Sequence, residues 1–409
     1  MFGLNFQFSK NCQFYVTYIA LMLSVNQCLH AQDTPAWHFS GYVKNMQTGV
    51  FFNDSYPDLA QFKLVDTFLM EELIHQRLNA EWDINESFSF HGAIRNRIIA
   101  GDFVRSTTDY VESLDEGVND FFDLAATPVQ SGSALWHTAI DRAYLEFVKG
   151  NWEVRLGRQR INWGINAFWN PNDLFNAYAF TDFDYEERPG SDAIRVKYYT
   201  GFASSVEVAA NVSAFDSLDA GTIAGLWKFN KKNYDFQLLT GLSNNNFVVG
   251  GGWAGNMKEA GFKGEFSWFK SLDDAQKDGF TIATGVDYSF KNSLYFQGGY
   301  LYNSLGITET SNNAAFSLFT VKLSAKNLYP YKHTFYVQAS YPATPLLNTA
   351  LSVIYSPNKQ HFLFLNPVVT YSIKENWDVD LVGQLLFNKA DEKYTSPLQA
   401  LFLRLKFSY

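Results

Sequence analysis

The chain has 409 residues, a formal net charge of −9 and 17% aromatic residues. The acidic balance argues against a nucleic-acid partner. No apolar run approaches the ~18 residues of a membrane-spanning helix.

Residues 1–31 read as a secretory signal peptide. Lys10 supplies a positive start, "FYVTYIALMLSV" a short apolar stretch, and Ala31 a small residue at the cleavage point. Residues 32–409 are then the mature part. Cys12 and Cys28 are the only cysteines. Both fall inside the signal, so disulfides, thiolate metal sites and thiol catalysis are not expected.

The mature part breaks into runs with strict two-residue alternation. "GAIRNRIIAG", "DRAYLEFV", "NWEVRLG", "DAIRVKYY", "GFKGEFSWF" and "SLYFQGGYLY" are clear cases. Tilted membrane strands require such runs. Short polar turns lie between many of them ("DINES", "VKGNW", "NKKN", "FKNS", "SPNKQ") and suit hairpins. Longer connections alternate with these, the longest over 101–135 and 165–190. Helical periodicity is confined to 60–73. The expectation is an all-β fold, a transmembrane antiparallel up-and-down β-barrel of roughly 16–18 strands. Both termini would face the periplasm.

"GGGWAG" over 250–255 reads as close strand packing, not a nucleotide loop. The histidines show no metal spacing, and no GxSxG elbow is present. No cofactor is expected. His91 with Asp141 or Ser133 is the only constellation that an enzyme reading could use. The final strand, "LFLRLKFSY", places Leu401, Leu403, Leu405, Phe407 and Tyr409 on one face. Phe407 and Tyr409 resemble the terminal aromatic signature read by barrel-insertion machinery.

"LGRQRINWG", "NPNDLFNA" and "DFDYEERPGSDAIRV" resemble a type of Bacteroidetes outer-membrane protein. They are distantly similar to alginate-export and related porin-like barrels, over about 142–199. The resemblance implies an outer-membrane barrel with channel-like character, and does not imply alginate as cargo.

Parity then assigns faces. Ala143, Leu145 and Phe147 suit lipid, which turns Arg142, Tyr144 and Glu146 inward. By the same argument Arg155, Arg195 and Lys197 point in, as do His91, Arg95 and Arg97. Arg158 and Arg160 fall on the parity of Val154 and Leu156, where an arginine in mid-membrane costs about 2–4 kcal/mol. A bulge at Gly157 would turn both inward and put Ile161 and Trp163 outside. Alternatively they sit at the outer rim and hold lipopolysaccharide phosphates. On the first reading Arg95, Arg97, Arg142, Arg155, Arg158, Arg160, Arg195 and Lys197 form one basic wall. Two acidic loops, with Asp115, Glu116 and Asp120 in one and Asp184, Glu186 and Glu187 in the other, would face that wall across a constriction. The functional expectation is a porin-like channel for small polar, anionic solutes. The rival is a plugged structural or assembly barrel whose outer loops bind a partner or polysaccharide.

Overall fold

The computed structural model describes residues 36–53, 67–106, 110–115, 121–175, 190–211, 221–308, 324–359, 361–390 and 393–409. Phe39–Tyr409 forms one compact unit, to which the description below refers.

Among the described residues twenty strands and two short helices follow in chain order. They begin β1 (Trp37–Phe52), β2 (Phe68–Asn85), β3 (Phe88–Gly101), α1 (Asp102–Ser106), α2 (Tyr110–Asp115), β4 (Ala125–Ser131), β5 (Ala134–Lys149), β6 (Trp152–Gln159) and β7 (Ser191–Gly201). Next come β8 (Ser204–Asn211), β9 (Thr222–Lys231), β10 (Tyr234–Ser243), β11 (Asn246–Met257), β12 (Ala260–Ser271), β13 (Gly279–Ser289) and β14 (Tyr295–Asn303). The last are β15 (His333–Thr344), β16 (Leu347–Ser356), β17 (Phe362–Lys374), β18 (Trp377–Ala390), β19 (Lys393–Thr395) and β20 (Leu398–Ser408).

Eighteen of these close into an antiparallel barrel, with β1 paired to both β2 and β20. Closure leaves no edge strand, the one way a sheet satisfies its backbone in lipid. Four of the polar turns read from the sequence ("DINES", "VKGNW", "NKKN" and "FKNS") join strands at one end, whereas "SPNKQ", between β16 and β17, falls at the opposite end. Lys232 and Asn233 both adopt positive φ (53° and 62°), the geometry of a tight two-residue hairpin. Phe68–Leu73, part of the segment with helical periodicity, is strand; residues 60–66 lie outside the described residues. The helices are instead α1 and α2, inside what the sequence presents as a plain loop.

Alternation sorts the two faces. Leu156 (60% exposed), Ile194, Trp227, Leu238 and Leu403 point outward with the other large exposed apolar side chains. The opposite positions carry the polar and charged residues together with three inward apolar clusters. One cluster, Met46, Leu73, Ile99 and Leu135, packs against Tyr110, Val111 and Leu114 of α2, so this helix lies within the barrel.

The short strand β4 has a particular place. β5 pairs along its whole length with β3 on one edge. Its other edge pairs with β6 over Ala143–Lys149 and with β4 over Ala134–Ala139. The chain leaves the wall at Gln159, and β4 continues the line that β6 vacates.

Candidate functional site: the lumen wall and the segment that crosses it

Arg155 and Arg195 stand directly opposite each other on β6 and β7. Like charges so placed repel, and carboxylates from the neighbouring positions relieve this. Arg155 Nε donates to Glu146 Oε1 at 2.5 Å, and its guanidinium lies 3.2 Å from Glu153. Arg195 reaches Glu153 at 3.2 Å and Glu207 at 2.8 Å. The result is a chain of alternating charge across β5, β6, β7 and β8. Tyr199 donates to Glu153 at 2.6 Å, and Lys197 Nζ sits 4.4 Å over the Tyr199 ring. Within this row the Arg155 side chain keeps 26% exposure and Arg195 14%.

A second cluster lies beside it. Arg77 and Arg95 are also register partners, on β2 and β3. Asp141 sits between them, 2.5 Å from Arg77 and 3.4 Å from Arg95. Arg142 donates to the Asp141 carbonyl at 2.7 Å. Arg97 binds the Leu114 carbonyl of α2 and contacts His137 Nδ1, each at 3.2 Å. Tyr110 of α2 donates to Glu71 at 2.6 Å. Burial, then the Glu71 charge, push the Tyr110 phenol above its ordinary pKa, so it holds this proton.

The expected bulge at Gly157 is absent. Pairing runs unbroken through Leu145↔Leu156, Tyr144↔Gly157 and Ala143↔Arg158. Gly157 is needed for a different reason. Its φ is +118°, and a Cβ there would stand 2.3 Å from the Ala143 carbonyl oxygen. The extra residue lies one strand over, in β5, where the register skips Asp141 and brings both Asp141 and Arg142 to the inner side.

Arg158 therefore stays on the outward parity, yet it is only 1% exposed. It makes a two-pronged bond to Asp192 (Nε 2.9 Å, Nη2 2.7 Å) and donates to the Phe122 and Ile140 carbonyls. The Phe121 and Phe122 amides donate to the same carboxylate at 3.1 and 2.8 Å. This clasp closes the seam where β4 takes over from β6. Arg160 lies beyond the end of β6, partly buried, and its Nε has no hydrogen-bond partner among the described residues. Ile161 and Trp163, expected outside, are 1% exposed and pack inward on Ala193, Ala209, Ala224 and Leu226.

From there residues 160–175 cross the lumen. Trp163 Nε1 donates to Glu207 at 2.5 Å, tying the segment to the end of the charge row. Gln237 donates to the Trp163 carbonyl at 2.7 Å. On the far wall Glu265, which has no exposed surface, accepts three backbone amides: Ile165 at 2.5 Å, Asn166, and Asn172 at 3.1 Å. Asn172 also binds the Gly251 carbonyl and Ser267. The glycine run on β11 makes room. A Cβ on Gly250 would meet Asn172 Oδ1 at 2.7 Å, and one on Gly252 would meet Ile165 at 2.9 Å. Beyond it Phe168 stacks on Tyr336 (centroids 4.1 Å, planes 16° apart).

The expected acidic loops are not what the arginines meet among the described residues. Their partners are wall carboxylates: Glu146, Glu153, Glu207, Asp141 and Asp192. Asp115 ends α2, while Glu116, Asp120, Asp184, Glu186 and Glu187 lie outside the described residues. Glu265 and Glu207 are the functional residues that sequence reading missed. Each sits in a regular strand run, and only the pairing of distant strands reveals what it holds. His91 is stacked on Tyr144 (4.7 Å), and its Nε2 sees both Ser89 at 3.0 Å and Glu146 at 3.4 Å. A relay needs an acid hydrogen-bonded to the ring nitrogen opposite the nucleophile, and Glu81, on the Nδ1 side, stands 3.9 Å away, beyond hydrogen-bond reach. Asp141, the other candidate, is engaged by the arginines. Among the described residues no cluster has the make-up of a metal site.

No protein-family model and no curated protein matches the sequence. Solved barrels match in fold. OccK9 (OpdG) of Pseudomonas aeruginosa aligns over 91% of this chain and 98% of its own, with TM-score 0.61 and 10% identity. A BenF-like porin from Pseudomonas fluorescens Pf-5 aligns over 91% and 99%, with TM-score 0.57 and 11% identity. OccAB4 of Acinetobacter baumannii aligns over 93% and 100%, with TM-score 0.56 and 11% identity. At such identities the likeness carries the architecture alone: this chain has the eighteen-stranded barrel fold found in outer-membrane porins.

Proposed function

We propose that the chain is an outer-membrane porin-like channel for small polar solutes, with a preference for anions. It is exported behind a cleaved signal, carries no catalytic chemistry, and is handed to the insertion machinery through Phe407 and Tyr409. An eighteen-stranded barrel is wide enough for an aqueous path. The proteins it matches in fold include one named a porin. The resemblance of "LGRQRINWG" to alginate-export barrels adds a strand-to-loop motif and no cargo.

One observation carries the reading. A segment held on Glu265 and Glu207 narrows the lumen beside the row of alternating charge that contains Arg155 and Arg195. In a narrow path between low-dielectric walls such charges act strongly on a passing solute. Arg155, with the more exposed guanidinium of the row, is the proposed first contact. Lys197 stands next to it. Arg95, Arg97 and Arg142 supply a background of positive potential from the adjoining sector. Arg158 serves the wall, not the path.

The packing of α2 and of Ile161 and Trp163 against inward apolar clusters favours a second reading, a plugged barrel whose outer loops bind a partner. Planar-bilayer recording of the refolded mature chain separates the two. The channel reading expects discrete open steps and an anion-selective reversal potential in a salt gradient, with selectivity reduced a few-fold by Arg155→Glu. Open steps with unchanged selectivity in the variant would remove Arg155 from the path. Silence from folded, inserted protein would leave the plugged barrel.

A further inference from the structure

The outward face is not uniform. From β6 round to β20 the outward mid-strand positions are apolar, aromatic or small, as in Leu238, Val337, Leu381 and the Leu401–Leu403–Leu405 row. Three adjoining strands break this rule with amides and a carboxylate, and a fourth, β5, sets a threonine beside them. Asn45 and Gln47 on β1, Glu72 and Gln76 on β2, Asn96 on β3 and Thr138 on β5 occupy outward parity. Asn45 is level with Leu405, and Gln47 with Leu403. Asn96 is level with Gln76 on one side and Thr138 on the other.

These residues lie at hydrocarbon depth. The outward pair Phe51–Phe68 (4.5 Å) marks one end of these strands and Phe88–Phe147 (4.9 Å) the other, with the polar stripe between them. The stripe is partly knitted together. Asn45 donates to Glu72 at 2.9 Å, Asn96 to Gln76 at 2.7 Å, and Gln76 to the Tyr409 hydroxyl at 3.3 Å. Yet Gln47 and Glu72 remain exposed on this face.

Lipid tails offer no hydrogen-bond partner, and polar groups facing them are costly. What covers the stripe must bring polar groups to mid-membrane depth and apolar surface above and below. A second barrel of the same chain meets both conditions. Primary amides donate and accept at once, so a row of Asn and Gln is complementary to a copy of itself. The spare amide hydrogens of one copy also match the Glu72 carboxylate of the other. We propose that this stripe on β1, β2, β3 and β5 is the interface through which two copies of this chain associate side by side in the membrane. The proposal stands apart from the channel reading, since it concerns the opposite face of the wall.

The test is to count copies. The mature chain, labelled once and refolded into phosphatidylcholine vesicles at low density, is followed by single-molecule photobleaching. Spots with at least two steps are expected. The triple change Glu72→Leu, Gln76→Leu and Asn96→Leu makes the stripe like the rest of the wall and should weaken association by about tenfold or more. Gln76→Trp, which adds bulk of a kind the outward face already carries, should do the same. Heat-modifiable mobility on gels verifies that each variant has closed its barrel. Single-step spots for the unmodified chain would overturn the proposal, as would association undiminished in both variants. If the unmodified chain is single and retains lipopolysaccharide that the triple variant loses, the stripe takes lipid and the proposal fails.

Discussion

Two sectors of the inner wall use carboxylates in opposite ways. On β5–β8, Glu146, Glu153 and Glu207 alternate with Arg155 and Arg195, so charge is answered by charge. On β11–β13, Glu265 makes no ion pair among the described residues and is answered by three backbone amides of the crossing segment. Glycines 250 and 252 clear the space around it. The first sector keeps partial contact with water and is suited to act on a solute. The second is sealed, and its carboxylate acts on the chain itself. Identical side chains thus divide into path and scaffold according to what neighbouring strands present to them. Glu207 joins the two, because it receives both Arg195 and the Trp163 indole.

The contrast can be broken at its strongest point. Glu265→Ala removes an acceptor from three backbone amides, and at roughly 1.5–3 kcal/mol for each bond to a charged group it should lower stability by about 4–9 kcal/mol. Released from the wall, residues 160–175 should narrow the lumen less, and single-channel conductance should rise. Unchanged conductance in a folded variant would show that the segment does not set the path. Arg158→Leu comes next, on the outer face of the first sector. It leaves Asp192 without the Arg158 cation, held by the Phe121 and Phe122 amides, at a cost of about 3–5 kcal/mol. Urea unfolding should register this while ion selectivity stays where it was, and adding Asp192→Leu should restore most of the loss. A selectivity change in Arg158→Leu would return this arginine to the path. Gly252→Leu tests the clearance on the second sector by driving a side chain into Ile165, with an expected loss of about 1–3 kcal/mol in the same assay. Trp163→Phe comes last. It keeps an aromatic ring but deletes the pyrrole part of the indole with its N–H to Glu207, for about 1–3 kcal/mol, and should leave the Glu265 anchor and most of the conductance intact.

Much of this was legible in the sequence. Period-two alternation gave the barrel, the inward parity of Arg95, Arg155, Arg195 and Lys197, and the lipid row of the last strand. Four of the five polar turns marked one end of the barrel, with "SPNKQ" at the other, and the glycine run was correctly read as close packing. What escaped was everything that depends on which strand lies beside which. Arg158 looked out of place because its parity was judged against bare lipid. The cover comes from Phe121 and Phe122, some 36 residues earlier, and no local pattern announces it. The bulge was placed at Gly157 because glycine permits one, whereas the inserted residue is Asp141 on the partner strand. Glu265 carries no local sign of its role, since its three donors lie about a hundred residues upstream.

The replacement of β6 by β4 in the wall bears on how such a protein diversifies. Because β4 is supplied from before β5, the line of the wall that β6 leaves is continued without any contribution from 160–175. That stretch can lengthen, shorten or exchange residues without re-registering a single barrel strand, provided that the Arg158–Asp192 clasp holds the splice. Variation in the lumen is thereby uncoupled from the integrity of the membrane seal, and new solute preferences become accessible through changes confined to one segment of the chain.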